Sequence, residues 1–214
     1  THFACLRTFL VGGFRAISTL LEDSNMHSST AEMVEKKVLE MAQHASFHQH
    51  VSYNLSTILH GFTAGKTDPT EIAKAFTHAR GLEVITRVVS GTPVPRPPVI
   101  SLCCGVARRV IDKFGTGVAE SQAGGFVEAL VGRLALGISG DDAQSVECHM
   151  ECACLMSSVA GRAASLLIAG GALGAVEGML ARLGGNHSSI MQPCCEALER
   201  VSRTKEGREV FEER

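Results

Sequence analysis

The side chains best suited to chemistry in this chain are Cys148, His149, Cys152 and Cys154, the densest group of ligating and nucleophilic residue types. On a helix, Cys148 and Cys152 share a face at i, i+4, and His149 lies three positions before Cys152, while Cys154 points elsewhere. That leaves three possible ligands at best, without the paired-knuckle spacing of a structural zinc site. The reading is therefore buried structural thiols and no metal. His44, His48 and His50 form a second group, with His44 and His48 one helical turn apart. They read as a solvated helix face, with a pH- or metal-sensitive patch as the alternative. No Ser-His-Asp or Cys-His arrangement has local support. Gly124-Gly125 and Gly170-Gly171 follow no strand, so they are turns between helices and not phosphate loops. The chain reads as a non-enzyme with no active site and no cofactor.

Composition narrows the classes further. The chain has 214 residues, 45% hydrophobic and 20% charged, which is globular in character. Net charge is −2, aromatic residues are 5% and Trp is absent, so nucleic acid is excluded as a partner for want of basic runs and stacking side chains. No apolar run is long enough to span a bilayer, and no signal-peptide pattern is present, so no membrane insertion is expected. Eight cysteines without a secretory signal read as reduced thiols in an intracellular protein, cytoplasmic or nuclear. A start at Thr1 reads as a fragment of a longer chain.

The elements that position these residues come from a repeat. Ala123-Gly124-Gly125-Phe126-Val127-Glu128-Ala129-Leu130 returns as Ala169-Gly170-Gly171-Ala172-Leu173-Gly174-Ala175-Val176. Weaker copies begin at Val11-Gly12-Gly13-Phe14 and at Arg80-Gly81-Leu82. Each reads as a Gly turn followed by a short apolar helix. Thr30 reads as the cap of a longer helix with Met33, Val34, Val38, Met41, Ala42 and Ala45 at helical spacing. Residues 47–66 read as an extra helix or a degenerate half repeat. Asp68-Pro69-Thr70-Glu71 is a helix start: a capping Asp, Pro in the first turn, and Glu placed to close a capping box. Pro93, Pro95, Pro97 and Pro98 predict an extended segment over 92–98, a rigid surface linker or, alternatively, a ligand for a polyproline reader, with the next helix at 99–114. Further helices are predicted at 126–136, 143–160, 162–168, 172–183, 190–202 and 204–213. The chain is thus one domain of units 1–46, 68–115, 116–161 and 162–203, with an extra helix at 47–67 and a partial unit at 204–214.

The long helices align with one another. Cys103-Cys104-Gly105-Val106-Ala107-Arg108-Arg109-Val110 lies over Cys152-Ala153-Cys154-Leu155-Met156-Ser157-Ser158-Val159 and over Cys194-Cys195-Glu196-Ala197-Leu198-Glu199-Arg200-Val201. The first unit supplies Glu35-Lys36-Lys37-Val38-Leu39-Glu40-Met41-Ala42. Small residues fill the first two columns, and apolar residues the fourth, fifth and eighth. A period of roughly 40–47 residues, with short helix, Gly turn, helix and long helix, resembles the armadillo repeat family. The resemblance covers nearly the whole chain, weakest at 47–66.

That resemblance implies an all-α, right-handed solenoid of three-helix repeats whose third helices line a concave groove for an extended peptide. The groove asparagine of importin-alpha-like repeats corresponds to the seventh column, which here holds Met41, Arg109, Ser158 and Arg200. Neighbouring turns add Lys37, Arg162 and Arg203 as partner-binding residues, beside His44, Gly105, Asp112, Cys154 and Glu196. The missing groove asparagines and tryptophans argue against a receptor for basic signals, and the arginines suit an acidic or phosphorylated segment. The resemblance therefore implies a scaffold that binds another protein or peptide. The alternative is a self-associating structural module, a homo-oligomer built through the solenoid ends.

Overall fold

The computed structural model describes residues 30–45, 47–65, 67–114, 120–137, 142–161, 163–183 and 185–213. Every regular element among them is a helix: α1 (Thr30–Gln43), α2 (His48–Thr63), α3 (Pro69–His78), α4 (Gly81–Ser90), α5 (Pro97–Phe114), α6 (Glu120–Gly137), α7 (Ala143–Ala160), α8 (Ala164–Ala169), α9 (Ala172–Leu183), α10 (Ser188–Ser202) and α11 (Lys205–Glu212). The all-α class read from the sequence holds. None of these helices is long and apolar enough to cross a membrane. The weak copy at Val11–Leu21 lies outside the described residues.

Local chemistry sets the boundaries. Asp68 caps α3 by accepting from the Thr70 N–H at 2.9 Å, with Pro69 in the first turn. Asp142 caps α7 through the Gln144 and Ser145 N–H groups, both at 3.0 Å. Each cap satisfies backbone donors that the first helical turn leaves without partners. Thr30 is not a cap: it lies within α1, its hydroxyl 3.0 Å from that of Thr67. Helix α5 starts at Pro97, two residues before the predicted position, because a proline at the first helical position surrenders an N–H that would have no partner anyway. The extended segment is shortened accordingly, and Pro95 is buried in it.

The predicted Gly turns divide. Gly171, at φ +69°, does turn the chain between α8 and α9. Gly124-Gly125 does not turn, since α6 runs through it without a break. A Cβ at Gly124 would sit 3.3 Å from Leu166 of α8, so the residue grants close approach of two helices. At the α3–α4 corner the left-handed conformation falls on Arg80, φ +57°, and not on Gly81. Gly81 is buried, and a Cβ there would meet the Phe76 ring at 2.5 Å.

Four helices stand in series, α2 against α5, α5 against α7, and α7 against α10. Their contact faces are the aligned columns: Cys103, Val106, Ala107 and Val110 on α5, Cys152, Leu155, Met156 and Val159 on α7, and Cys194, Ala197 and Val201 on α10 are all buried. A second series runs from α4 to α6 to α9. Short helix α8 fits between α6, α7, α9 and α11. Arg133 of α6 ties that helix to the end of α4, donating from Nε to the Val89 carbonyl at 2.5 Å and from Nη2 to the Gly91 carbonyl at 2.6 Å.

The first unit departs from the alignment. Helix α2 holds the place in the series that the alignment gives to residues 35–42, and α1 packs instead on α2, α3 and α4. Burial explains why. A fifth-column residue would gain about 1.5–3 kcal/mol from burial, yet Leu39 is 58% exposed. Helix α2 offers Val51, Leu55 and Ile58, all fully buried, as the better apolar face. Residues 47–66 are thus centred on one helix that continues the series.

Candidate functional site

The face shared by α5, α7 and α10 carries a ladder of alternating charge. Small residues at the first columns let these helices approach closely, which brings side chains one turn further on within reach of the neighbouring helix. Arg108 Nη2 lies 3.4 Å from Glu151 Oε2 across the α5–α7 seam. Arg109 donates from Nη1 to the Gly105 carbonyl at 3.1 Å. Burial and the adjacent Arg108 hold its pKa below the ordinary arginine value. Gly105 is the point of convergence: Arg109, Leu59 of α2 and Glu151 of α7 would each lie within 3.8 Å of a Cβ there.

Across the α7–α10 seam, Ser157 donates to Glu196 at 3.2 Å, and Arg200 donates to the Ser157 carbonyl at 2.8 Å. Arg200 Nη2 is also 3.8 Å from Glu196 Oε2. Gln192 donates to the other Glu196 oxygen at 3.0 Å. The Gln192 and Ser157 hydrogen bonds, with a smaller contribution from Arg200, hold the Glu196 carboxyl below its usual range. Arg200 uses two of its guanidinium nitrogens within this network and keeps 43% of its side chain exposed, so donors remain for a partner.

The other predicted site residues are placed as follows. Ser158 is half-buried on the same helix as Glu151 and Ser157. Arg203 is exposed and pairs within its own helix turn with Glu199 at 2.5 Å. Arg162 lies outside the described residues. Met41 is fully buried in the core and cannot contact a partner. Lys37 is on α1, outside the series, paired with Glu40 at 2.9 Å and 5.1 Å from the centre of the Tyr53 ring. Both corrections share one cause, the packing of α1 outside the series of α2, α5, α7 and α10. The alignment overlooked Glu151 and Ser157, whose partners lie on a neighbouring helix, and Gln192, which lies one turn before its partner Glu196 on α10, outside the aligned columns.

The cysteine and histidine cluster separates into two environments. Cys104 of α5 and Cys152 of α7 meet with sulfurs 3.7 Å apart, Cys103 and Cys148 are also fully buried, and burial pushes the Cys103 thiol far up. His149 turns away from them. Its Nδ1 lies 2.6 Å from the Ser145 carbonyl and its Nε2 2.7 Å from Arg182 Nη2 on α9. Cys154 is half-buried on the ladder face, its thiol raised chiefly by burial. Among the described residues, no three His, Cys, Asp or Glu side chains are placed to hold a metal ion. His44 stacks on His50 with ring centres 5.4 Å apart, and meets Phe47 edge-on at 5.8 Å. Protein-family models, curated proteins and solved structures give no match to this chain.

Proposed function

We propose that this chain is an armadillo-like solenoid that serves as a non-enzymatic scaffold, binding a partner peptide along the face of α5, α7 and α10. The observation that carries the reading is the charge ladder over serially packed helices, Arg108–Glu151 followed by Ser157–Glu196–Arg200. A row of long helices offers an extended segment regularly spaced contacts, and Arg109, Ser158 and Arg200 are its polar anchors. Guanidinium donors left over after internal pairing suit carboxylates or phosphates on the partner. Adjacent acids Glu151 and Glu196 make the surface mixed in sign, which disfavours uniformly basic and uniformly acidic segments alike.

The test is capture of proteome-derived peptides by the wild type and by the double variant Arg109→Glu/Arg200→Glu, both checked for equal helicity. The expected result is a shared motif, weakened by salt and lost at least tenfold in the variant. Equal capture by both proteins would reduce the arginines to internal ladder members and refute the reading.

A further inference from the structure

We infer that the peptide-binding face continues onto α2, where Ser56 and His60 take the uncharged end of a segment whose carboxylates lie on α5 and α10. The inference rests on the peptide-binding reading of that face and names the kind of segment it fits. One contact and the pattern of burial fix the register of α2. A Cβ on Gly105 would lie 3.7 Å from Leu59 of α2 and 3.8 Å from Glu151 of α7, so both neighbours of α5 reach over the same point. Ser157 of α7 reaches Glu196 of α10, and Gly105 stands in the Glu196 column, so Leu59 holds on α2 the place of Ser157 on α7. Burial agrees. Asn54, Thr57 and Ile58 are buried, like Cys103, Val106 and Ala107 of α5. Ser56 and His60 are half-buried, like Cys154 and Ser158 of α7. His60 therefore stands in the row of Arg109, Ser158 and Arg200, the place the sequence alignment gives to Met41.

Charge sets the direction of the segment. Helix α2 contains no Asp, Glu, Lys or Arg, whereas α5, α7 and α10 all do. Lys37 of α1, over the Tyr53 ring at 5.1 Å, is itself paired with Glu40 at 2.9 Å. Among the described residues, no hydrogen bond or ion pair engages the side chain of Ser56 or His60. A hydroxyl and an imidazole each donate and accept, so they serve peptide groups and neutral polar side chains. A charged side chain laid there would lose water without gaining an opposite charge. One helix further on, a carboxylate meets the guanidinium of Arg109. Adjacent helices lie about 9 Å apart, and an extended chain rises about 3.3 Å per residue. About three uncharged residues therefore lie beyond the carboxylate at Arg109, and about five or six separate it from the one at Arg200.

The experiment is selection of random dodecapeptides at pH 8 on the whole chain and on His60→Arg. The enriched wild-type peptide is then titrated against both and against Arg109→Glu/Arg200→Glu. Melting and helicity establish that each variant is folded, and Ser56→Arg, one turn earlier on the same face, replaces His60→Arg if helicity is lost. On the wild type, enriched sequences should carry acids toward one end and about three uncharged residues at the other. On His60→Arg, an acid should appear within that uncharged stretch. A peptide carrying Glu there should bind His60→Arg about tenfold more tightly than it binds the wild type. Acids at both ends on the wild type, or the same sequences from wild type and His60→Arg, would overturn the inference. If the double variant still loses binding, the peptide-binding reading of α5, α7 and α10 survives that outcome. Equal binding by the double variant, or no enriched peptide at all, removes that reading and this inference together. A dimer that the enriched peptide dissociates would assign the face to a second copy of the chain and overturn the inference equally.

Discussion

His149 lies with Nε2 2.7 Å from Arg182 Nη2, joining α7 to α9. A guanidinium can only donate, so Nε2 accepts, and Nδ1 carries the proton that it gives to the Ser145 carbonyl. The imidazole is fully buried and neutral. Burial is the main cause that lowers its pKa from the ordinary 6.5; the Ser145 carbonyl opposes it, and repulsion from Arg182 adds to it. The unfolded chain thus binds this proton more readily than the folded one. Stability should be complete above pH 6.5 and should fall as pH drops from there through the folded-state pKa. Each unit of depression corresponds to about 1.4 kcal/mol. Urea unfolding between pH 8 and pH 5 checks this, and His149→Gln should flatten the slope. A slope unchanged by that substitution would assign it to other groups.

The thiols should divide by access. Cys103, Cys104, Cys148 and Cys152 are fully buried, and burial raises the Cys194 thiol to about 11. Cys195, next to it, is exposed. Since the thiolate is the reactive form, brief alkylation of the native protein should label Cys195 well ahead of those five. Peptide mapping by mass spectrometry reads the order, and early labelling of Cys104 or Cys152 would mean that the α5–α7 seam opens readily.

Most helices were legible in the sequence because their apolar period and caps are local. Residues 143–160 and 172–183 match α7 and α9 residue for residue. Residues 35–42 and 48–63 both carry an apolar stripe at helical spacing, and only the packing of the whole assembly decides which one joins the series. Gly124-Gly125 misled for a related reason. A glycine pair signals a turn or a close helix approach equally well, and here the Leu166 contact across to α8 decides for the latter. Arg109 and Arg200 were visible as a row, whereas Glu151, Ser157 and Gln192, which tie that row together, depend on contacts across helices or on the turn before.

The α3–α4 corner makes a paired prediction. Arg80 holds the left-handed conformation, and Gly81 beside it is needed for space. Gly81→Ala should cost about 1–3 kcal/mol through overpacking against Phe76. Arg80→Gly removes a strained φ but frees the unfolded chain, so its net effect should stay within about 1 kcal/mol. Denaturant midpoints compare the two, and a larger loss in Arg80→Gly would refute the assignment of roles.

Arg133 makes the strongest single demand on the α4–α6 contact. Its guanidinium serves two carbonyls at the end of α4, Val89 and Gly91, both left without helical donors where the chain departs toward Pro93. A cation at a helix C-terminus is also favoured by the helix dipole. Arg133→Ala leaves both carbonyls to find other donors and should cost about 1–3 kcal/mol. For a chain of this size that is roughly 2–4 °C in Tm per kcal/mol. Arg133→Lys keeps the charge but loses the planar fork that reaches two acceptors at once, so it should recover less than half of the loss. Full recovery by lysine would mean that charge at the end of α4, and not the bidentate geometry, holds α6 in place.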